Sequence, residues 1–137
     1  MSCVLDASTS VAWLHPWEAT PALAQFFRDI AINGAWVPAL WHLEIANVLR
    51  TNLLRKRYSE ATRDHYLLLM RQVPVVVDAF TDQRAWTGTL ALSDLHKLTL
   101  YDAAYLELAI RRNLPLATLD GDLRTAANRE GVPLVAL

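Results

Sequence analysis

A chain of 137 residues with one cysteine, Cys3, cannot form an internal disulfide. At this length folding buries roughly two thirds of the unfolded surface, so a core is possible without covalent staples. Cys3 lies in the first apolar run, where a buried thiol in a reducing compartment is expected. The first residues show no basic n-region of a signal peptide and already carry Asp6, so no secretory leader is expected. The longest uncharged stretch, Ile30 to Leu43, is short and broken by Gly34 and Pro38. The expectation is a cytoplasmic protein outside the membrane, with residues 1–137 forming a single domain. Only four glycines are present, and none builds a Walker-type loop or a Gly-x-Ser-x-Gly elbow. There is no CxxC pair, and His15, His42, His65 and His96 show no ligand spacing, so each reads as an ordinary surface or core residue.

Positive charge is not in excess either. The formal net charge of -1 argues against a protein that holds nucleic acid by bulk electrostatics. The distribution is uneven: residues 1–49 carry a net of -3, residues 50–71 a net of +4 and the remainder a net of -2. Arg50, Arg55, Lys56 and Arg57 hold the positive field. They read either as a solvated helix end whose cations favour the C-terminal dipole or as contacts to a phosphate backbone.

Short apolar runs alternate with helical patterns. Val4-Leu5, Ala35-Trp36-Val37, Pro74 to Val77, Leu116 to Leu119 and Val132 to Leu137 read as strands. Helices are expected from Ser8 to Leu14, Ala22 to Asn33 (Thr20 as cap, Gly34 as stop), Leu40 to about Arg57, and Ser59 to Met70 or Arg71. Further helices should run from Thr81 or Asp82 to His96, from Asp102 to Arg112, and from about Leu123 to Arg129. This alternation predicts an α/β fold, a three-layer α/β/α sandwich around a parallel sheet of about five short strands. No repeat, linker or low-complexity segment interrupts it.

Four acids stand in awkward places. Asp6 and Asp120 follow apolar strands, Asp102 opens a helix, and Glu44 sits among Leu40, Trp41, Asn47 and Val48 on a stripe expected to face the core. Each has an ordinary explanation: Asp6 and Asp102 as caps, Asp120 with Gly121 as a turn, Glu44 as half of a buried ion pair with an arginine. If parallel strands bring the ends of the first and fourth runs together, the acids meet at the carboxyl edge of the sheet, where open α/β folds place ligands. Two carboxylates about 5 Å apart repel by roughly 3 kcal/mol at an effective dielectric of about 20. Either the acids do not converge or a hard divalent cation joins them.

The runs Val4-Leu5-Asp6-Ala7-Ser8, Pro38-Ala39-Leu40 leading to Glu44-Ile45-Ala46-Asn47-Val48-Leu49, Leu98 to Tyr105 and Pro115 to Leu123 resemble, in this order and spacing, the PIN-domain family, and within it VapC-type toxins of toxin–antitoxin pairs. The resemblance implies a metal-dependent ribonuclease using Mg²⁺ or Mn²⁺. Its acidic set would be Asp6, Glu44, Asp102 and Asp120, with Asp122 as an auxiliary. Ser8 and Thr118 match small hydroxyl positions near the metal, and Asn47 lies one helical turn from Glu44. Thr99 stands where a serine is frequent. RNA as substrate, a cognate antitoxin as partner and a homodimer come from the resemblance alone. Arg50, Arg55, Lys56 and Arg57 would guide the RNA backbone, and an apolar surface around Trp13 and Trp17 would receive the antitoxin. Asp78 and Asp94 fall outside the acidic set and serve as controls for its role in cleavage. Two other classes remain open: a non-catalytic metal- or nucleic-acid-binding module of the same fold, and another acid-rich α/β phosphohydrolase. The second lacks the aspartate two positions after Asp6 that haloacid-dehalogenase-like phosphatases use.

Overall fold

The computed structural model describes residues 3–137. Its centre is a four-stranded, wholly parallel sheet in the order β3-β2-β1-β4, made of β1 (Val4–Leu5), β2 (Ala35–Val37), β3 (Val75–Val77) and β4 (Leu116–Ala117). The register sets Val4 opposite Trp36 on one side, and Val4 and Leu5 opposite Leu116 and Ala117 on the other. β1 and β4 are therefore neighbours at the centre of the site. Cys3, Val4, Leu5, Leu116 and Ala117 are buried, as parallel strands covered on both faces must be.

The expected fifth strand shrinks to one parallel bridge between Leu116 and Leu134. Pro133 has no amide hydrogen to give, and β4 is too short to support a longer ladder.

Helices flank the sheet, with boundaries set by local chemistry. α1 (Ala7–Leu14) leaves β1 directly. α2 (Pro21–Asn33) is capped by the Thr20 hydroxyl on the Leu23 amide and stopped at Gly34, whose φ of 68° suits a residue without a Cβ. α3 (Trp41–Leu54) and α4 (Glu60–Met70) form a helical hairpin. α3 stops three residues short of the expected Arg57, because Lys56 takes a left-handed φ of 57°. Ser59 caps α4 as expected. α5 (Thr81–Arg84), a π-helical stretch (Ala85–Thr89) and α6 (Leu90–His96) form one continuous run. α7 (Leu100–Arg112) begins two residues before Asp102, since Thr99 is its cap, and α8 (Gly121–Arg129) begins at Gly121. α7 is buried continuously from Ala103 to Ala109. No helix among these residues is long and apolar enough to cross a membrane.

Asp78, outside the acidic set, has a structural role. It follows β3, is buried, and receives both Arg111 terminal nitrogens at 3.1 and 2.7 Å, while Arg111 also meets Glu107 at 2.8 Å. Burial pushes the Asp78 carboxyl up, but the Arg111 bonds and charge and the Thr81 hydroxyl outweigh it and hold the group below its ordinary value. Asp78→Asn should therefore cost about 3 kcal/mol in urea unfolding at neutral pH, the scale of a broken buried pair. The folded pKa is depressed, so the contribution is complete above about pH 4 and fades as pH falls through the folded value. The gap between wild type and variant should close in strong acid, and a gap constant across that range would contradict this assignment.

Candidate active site

The carboxyl edge of the sheet gathers the acids. The Asp6 amide donates to the Ala117 carbonyl at 3.1 Å, which extends the β1–β4 pairing by one step and sets Asp6 level with Thr118. Asp6 occupies the N-cap position of α1 but makes no side-chain cap bond. Instead its Oδ2 accepts the Ser8 hydroxyl at 2.7 Å and the Thr118 hydroxyl at 2.9 Å. Ser10 donates to the Asp6 carbonyl and receives the Trp41 indole N–H, tying α1 to the start of α3.

From α3, Glu44 reaches the same region. The buried stripe of α3 is Trp41, Ile45, Leu49 and Asn52, which leaves Glu44 half-buried at its margin and Asn47 exposed. The expectation that both interrupt the core face is corrected: the stripe steps by four residues from Trp41 and passes beside them. Glu44 has no arginine partner among the described residues; the Tyr105 hydroxyl of α7 donates to its Oε1. Tyr105 is the site residue that the sequence reading missed. Its signal is its spacing, three residues after Asp102 and one helical turn along α7.

Asp102 stands in the first turn of α7, behind the Thr99 cap. Asp120 caps α8 through its Oδ2 on the Leu123 amide at 2.9 Å, so its turn-and-cap role is real and compatible with a place at the site. Asp122 is exposed in the first turn of α8.

Electrostatics show that the acids converge. Asp6, 4% exposed, is pushed up by burial, against the Ser8 and Thr118 bonds and with help from Asp120. Glu44 is pushed up by burial and by the charges of Asp6 and Asp102, with Tyr105 opposing. Asp102 is pushed up to about 6 by burial and by Asp6, Asp120 and Asp122. No lysine, arginine or histidine among the described residues forms an ion pair with any of these five acids.

The donor set suits a hard divalent ion: carboxylate oxygens with two small hydroxyls beside them and no compensating cation. Yet no three His, Cys, Asp or Glu side chains among the described residues are close enough to hold one ion directly. Mg²⁺ usually keeps several of its waters, so carboxylates at this spacing would hold it partly through them.

The basic group lies elsewhere. Arg50, Arg55, Lys56 and Arg57 are exposed towards the far end of α3 and make no contact with the acids. Arg57 bonds Asn52 at 3.0 Å and lies over Trp17. His15 is enclosed between Glu18 and Tyr58, and His96 pairs with Glu130, so neither serves the acidic edge.

The raised Asp102 pKa fixes the sign of a stability effect. Ionisation is harder in the folded state, so Asp102 destabilises the fold without metal above about pH 6 and does so less as pH falls towards the ordinary carboxylate range. Asp102→Asn should raise the melting temperature in EDTA at pH 7.5 and raise it by well under half as much at pH 4.5. Equal shifts at both values would show that the acids do not interact.

Residues 3–129 match the PIN domain family. The fold is similar to the crystal structure of PAE2754 from Pyrobaculum aerophilum, with a TM-score of 0.68 and 21% sequence identity over 92% of this chain and 86% of that one. No curated protein gives a significant match. PIN domains are generally nucleases and typically bind divalent metals. With the family match spanning nearly the whole chain, around acids gathered at the carboxyl edge of a parallel sheet, the protein belongs to the PIN domain family.

Proposed function

We propose that the chain is a metal-dependent endoribonuclease that hydrolyses RNA phosphodiester bonds. Asp6, Glu44, Asp102 and Asp120 would hold Mg²⁺ or Mn²⁺, with Asp122 as an auxiliary. The observation that carries this reading is the convergence of these acids at one edge of the sheet, where burial and neighbouring carboxylates raise Asp6, Glu44 and Asp102, with no ion-pair partner among the described residues. When bound, the cation neutralises charge growing on the phosphate oxygens and acidifies an attacking water.

The chain's own residues supply the positioning. Ser8 and Thr118 restrain the Asp6 carboxyl group, and the Tyr105 hydroxyl restrains Glu44, whose role is to orient the attacking water or hold a second ion. Rigid placement of charged groups is what stabilises charge in a transition state without reorganisation. A histidine base is not needed.

Asp6→Asn, Glu44→Gln, Asp102→Asn and Asp120→Asn should each lower metal-dependent cleavage of a labelled RNA panel by at least about a hundredfold. Asp94→Asn, an exposed acid outside the site, is the control. Millimolar Mg²⁺ should raise the wild-type melting temperature, and Asp6→Asn should blunt the rise. Cleavage that persists in EDTA would sink the reading.

The biological setting we infer is that of a toxin, homodimeric and held inactive in the cytoplasm by a cognate antitoxin. Support for an apolar docking segment comes from a cavity of about 360 Å³ lined by Trp13, Phe27, Ile30 and Leu69, with Trp17 half exposed nearby in the chain. An antitoxin arginine or lysine reaching the acids would supply the missing positive charge. Expression alone in a bacterium should arrest growth, and Asp6→Asn should relieve the arrest. Equal growth with both chains would refute the toxin role and leave the nuclease intact.

A further inference from the structure

A second charged site lies at the opposite end of α7 from Asp102. Phe80, Arg84, Arg111 and Arg112 line a cavity of about 310 Å³. Three guanidinium groups there face two carboxylates, Asp78 and Glu107, which leaves one positive charge uncompensated.

The three arginines are not equivalent. Arg111 is fully engaged, bonded to both oxygens of Asp78 and both of Glu107. Arg84 is half exposed, meets Glu107 only at 3.9 Å, and its side chain makes no hydrogen bond among the described residues. Arg112 comes no nearer than 3.6 Å to Asp78, and its Nε is buried without a hydrogen-bond partner. Its guanidinium carbon lies 3.4 Å from the centre of the Trp36 ring, which fixes the group in place. Two cations with unspent donors thus border one cavity, one of them already immobilised.

We propose that this cavity docks a phosphodiester group of a single-stranded nucleic acid, as a subsite that grips the RNA away from the scissile bond; it rests on the ribonuclease reading. One uncompensated positive charge matches the single negative charge of a phosphodiester. Planar guanidinium forks suit its paired oxygens, and the exposed ring of Phe80 supplies the aromatic surface that single-strand sites use for stacking. Nine residues of α7 separate Asp102 from Arg111, roughly 13 Å at 1.5 Å per residue, a distance that a few nucleotides of one strand can span. The subsite is distinct from Arg50 on α3 and from Arg55, Lys56 and Arg57 just after it.

The test is fluorescence anisotropy with a short labelled oligoribonucleotide of mixed sequence, using the full chain carrying Asp6→Asn in EDTA so that binding is read without cleavage. Arg84→Gln and Arg112→Gln in that background should each weaken binding at least about fivefold and reduce the salt slope by about 0.7, the value for one phosphate contact on a single strand. Arg28→Gln, at an exposed position of α2, should change neither. Melting temperatures check that each variant folds, and the half-exposed Arg84 decides the matter if Arg112→Gln does not. Unchanged affinity and slope for a folded Arg84→Gln would overturn the proposal even if the wild-type chain cleaves RNA. Weakened binding with no cleavage by the wild type would support the subsite and sink the nuclease reading. Loss of affinity for a glutamate-rich peptide with RNA binding intact would assign the cavity to a protein carboxylate and also overturn it.

Discussion

Repulsion among carboxylates at one edge of the sheet is the constraint on which the rest of this structure depends. The β1–β4 register sets Asp6 beside the segment that carries Thr118 and Asp120, and α3 and α7 bring Glu44 and Asp102 to the same edge. A domain's net stability is only about 5–15 kcal/mol, so such an arrangement needs a dense core beneath it. That core is the buried run of α7 packed with β1, β4 and α8. The site is tolerable because the elements that present it are fixed by apolar packing, not by the acids themselves.

The fold manages the repulsion with neutral groups. Asp6 is held by two hydroxyls and Glu44 by a phenol, which give hydrogen bonds to the ionised form without cancelling its charge. An arginine in their place would quench the negative potential. The cost appears as raised pKa values, a signature typical of functional sites.

α7 shows both ways of handling a buried acid. Near its N-terminus, Asp102 has no counter-ion among the described residues and is pushed up to about 6. Towards its C-terminus, Glu107 and the neighbouring Asp78 are paired with Arg111, and Asp78 is held below its ordinary value. The helix dipole eases both arrangements, favouring negative charge at the start and Arg111 and Arg112 in the last turn. One helix therefore joins an electrostatically frustrated end to a satisfied one, and the satisfied end still leaves donors on Arg84 and Arg112.

What the sequence determines by itself is what local chemistry decides. The alternation of apolar runs with helical periods specifies a parallel α/β fold. Thr20 with Pro21, Gly34, and Ser59 mark helix ends that the structure keeps. The four acids are legible because each sits beside a strand end or helix start, positions that a parallel topology brings to one edge. Other features belong to the tertiary structure alone. That Asp78 is held as a paired acid depends on Arg111, 33 residues away in the chain, and Glu44 finds Tyr105 across 61 residues. Val132 to Leu137 has the composition of a strand, yet β4 offers it room for only one bridge. Asn47 belongs to a helix whose buried stripe passes one step to its side. Pairings of side chains distant in sequence depend on how helices roll against the sheet. Packing sets that rotation, and no local pattern records it.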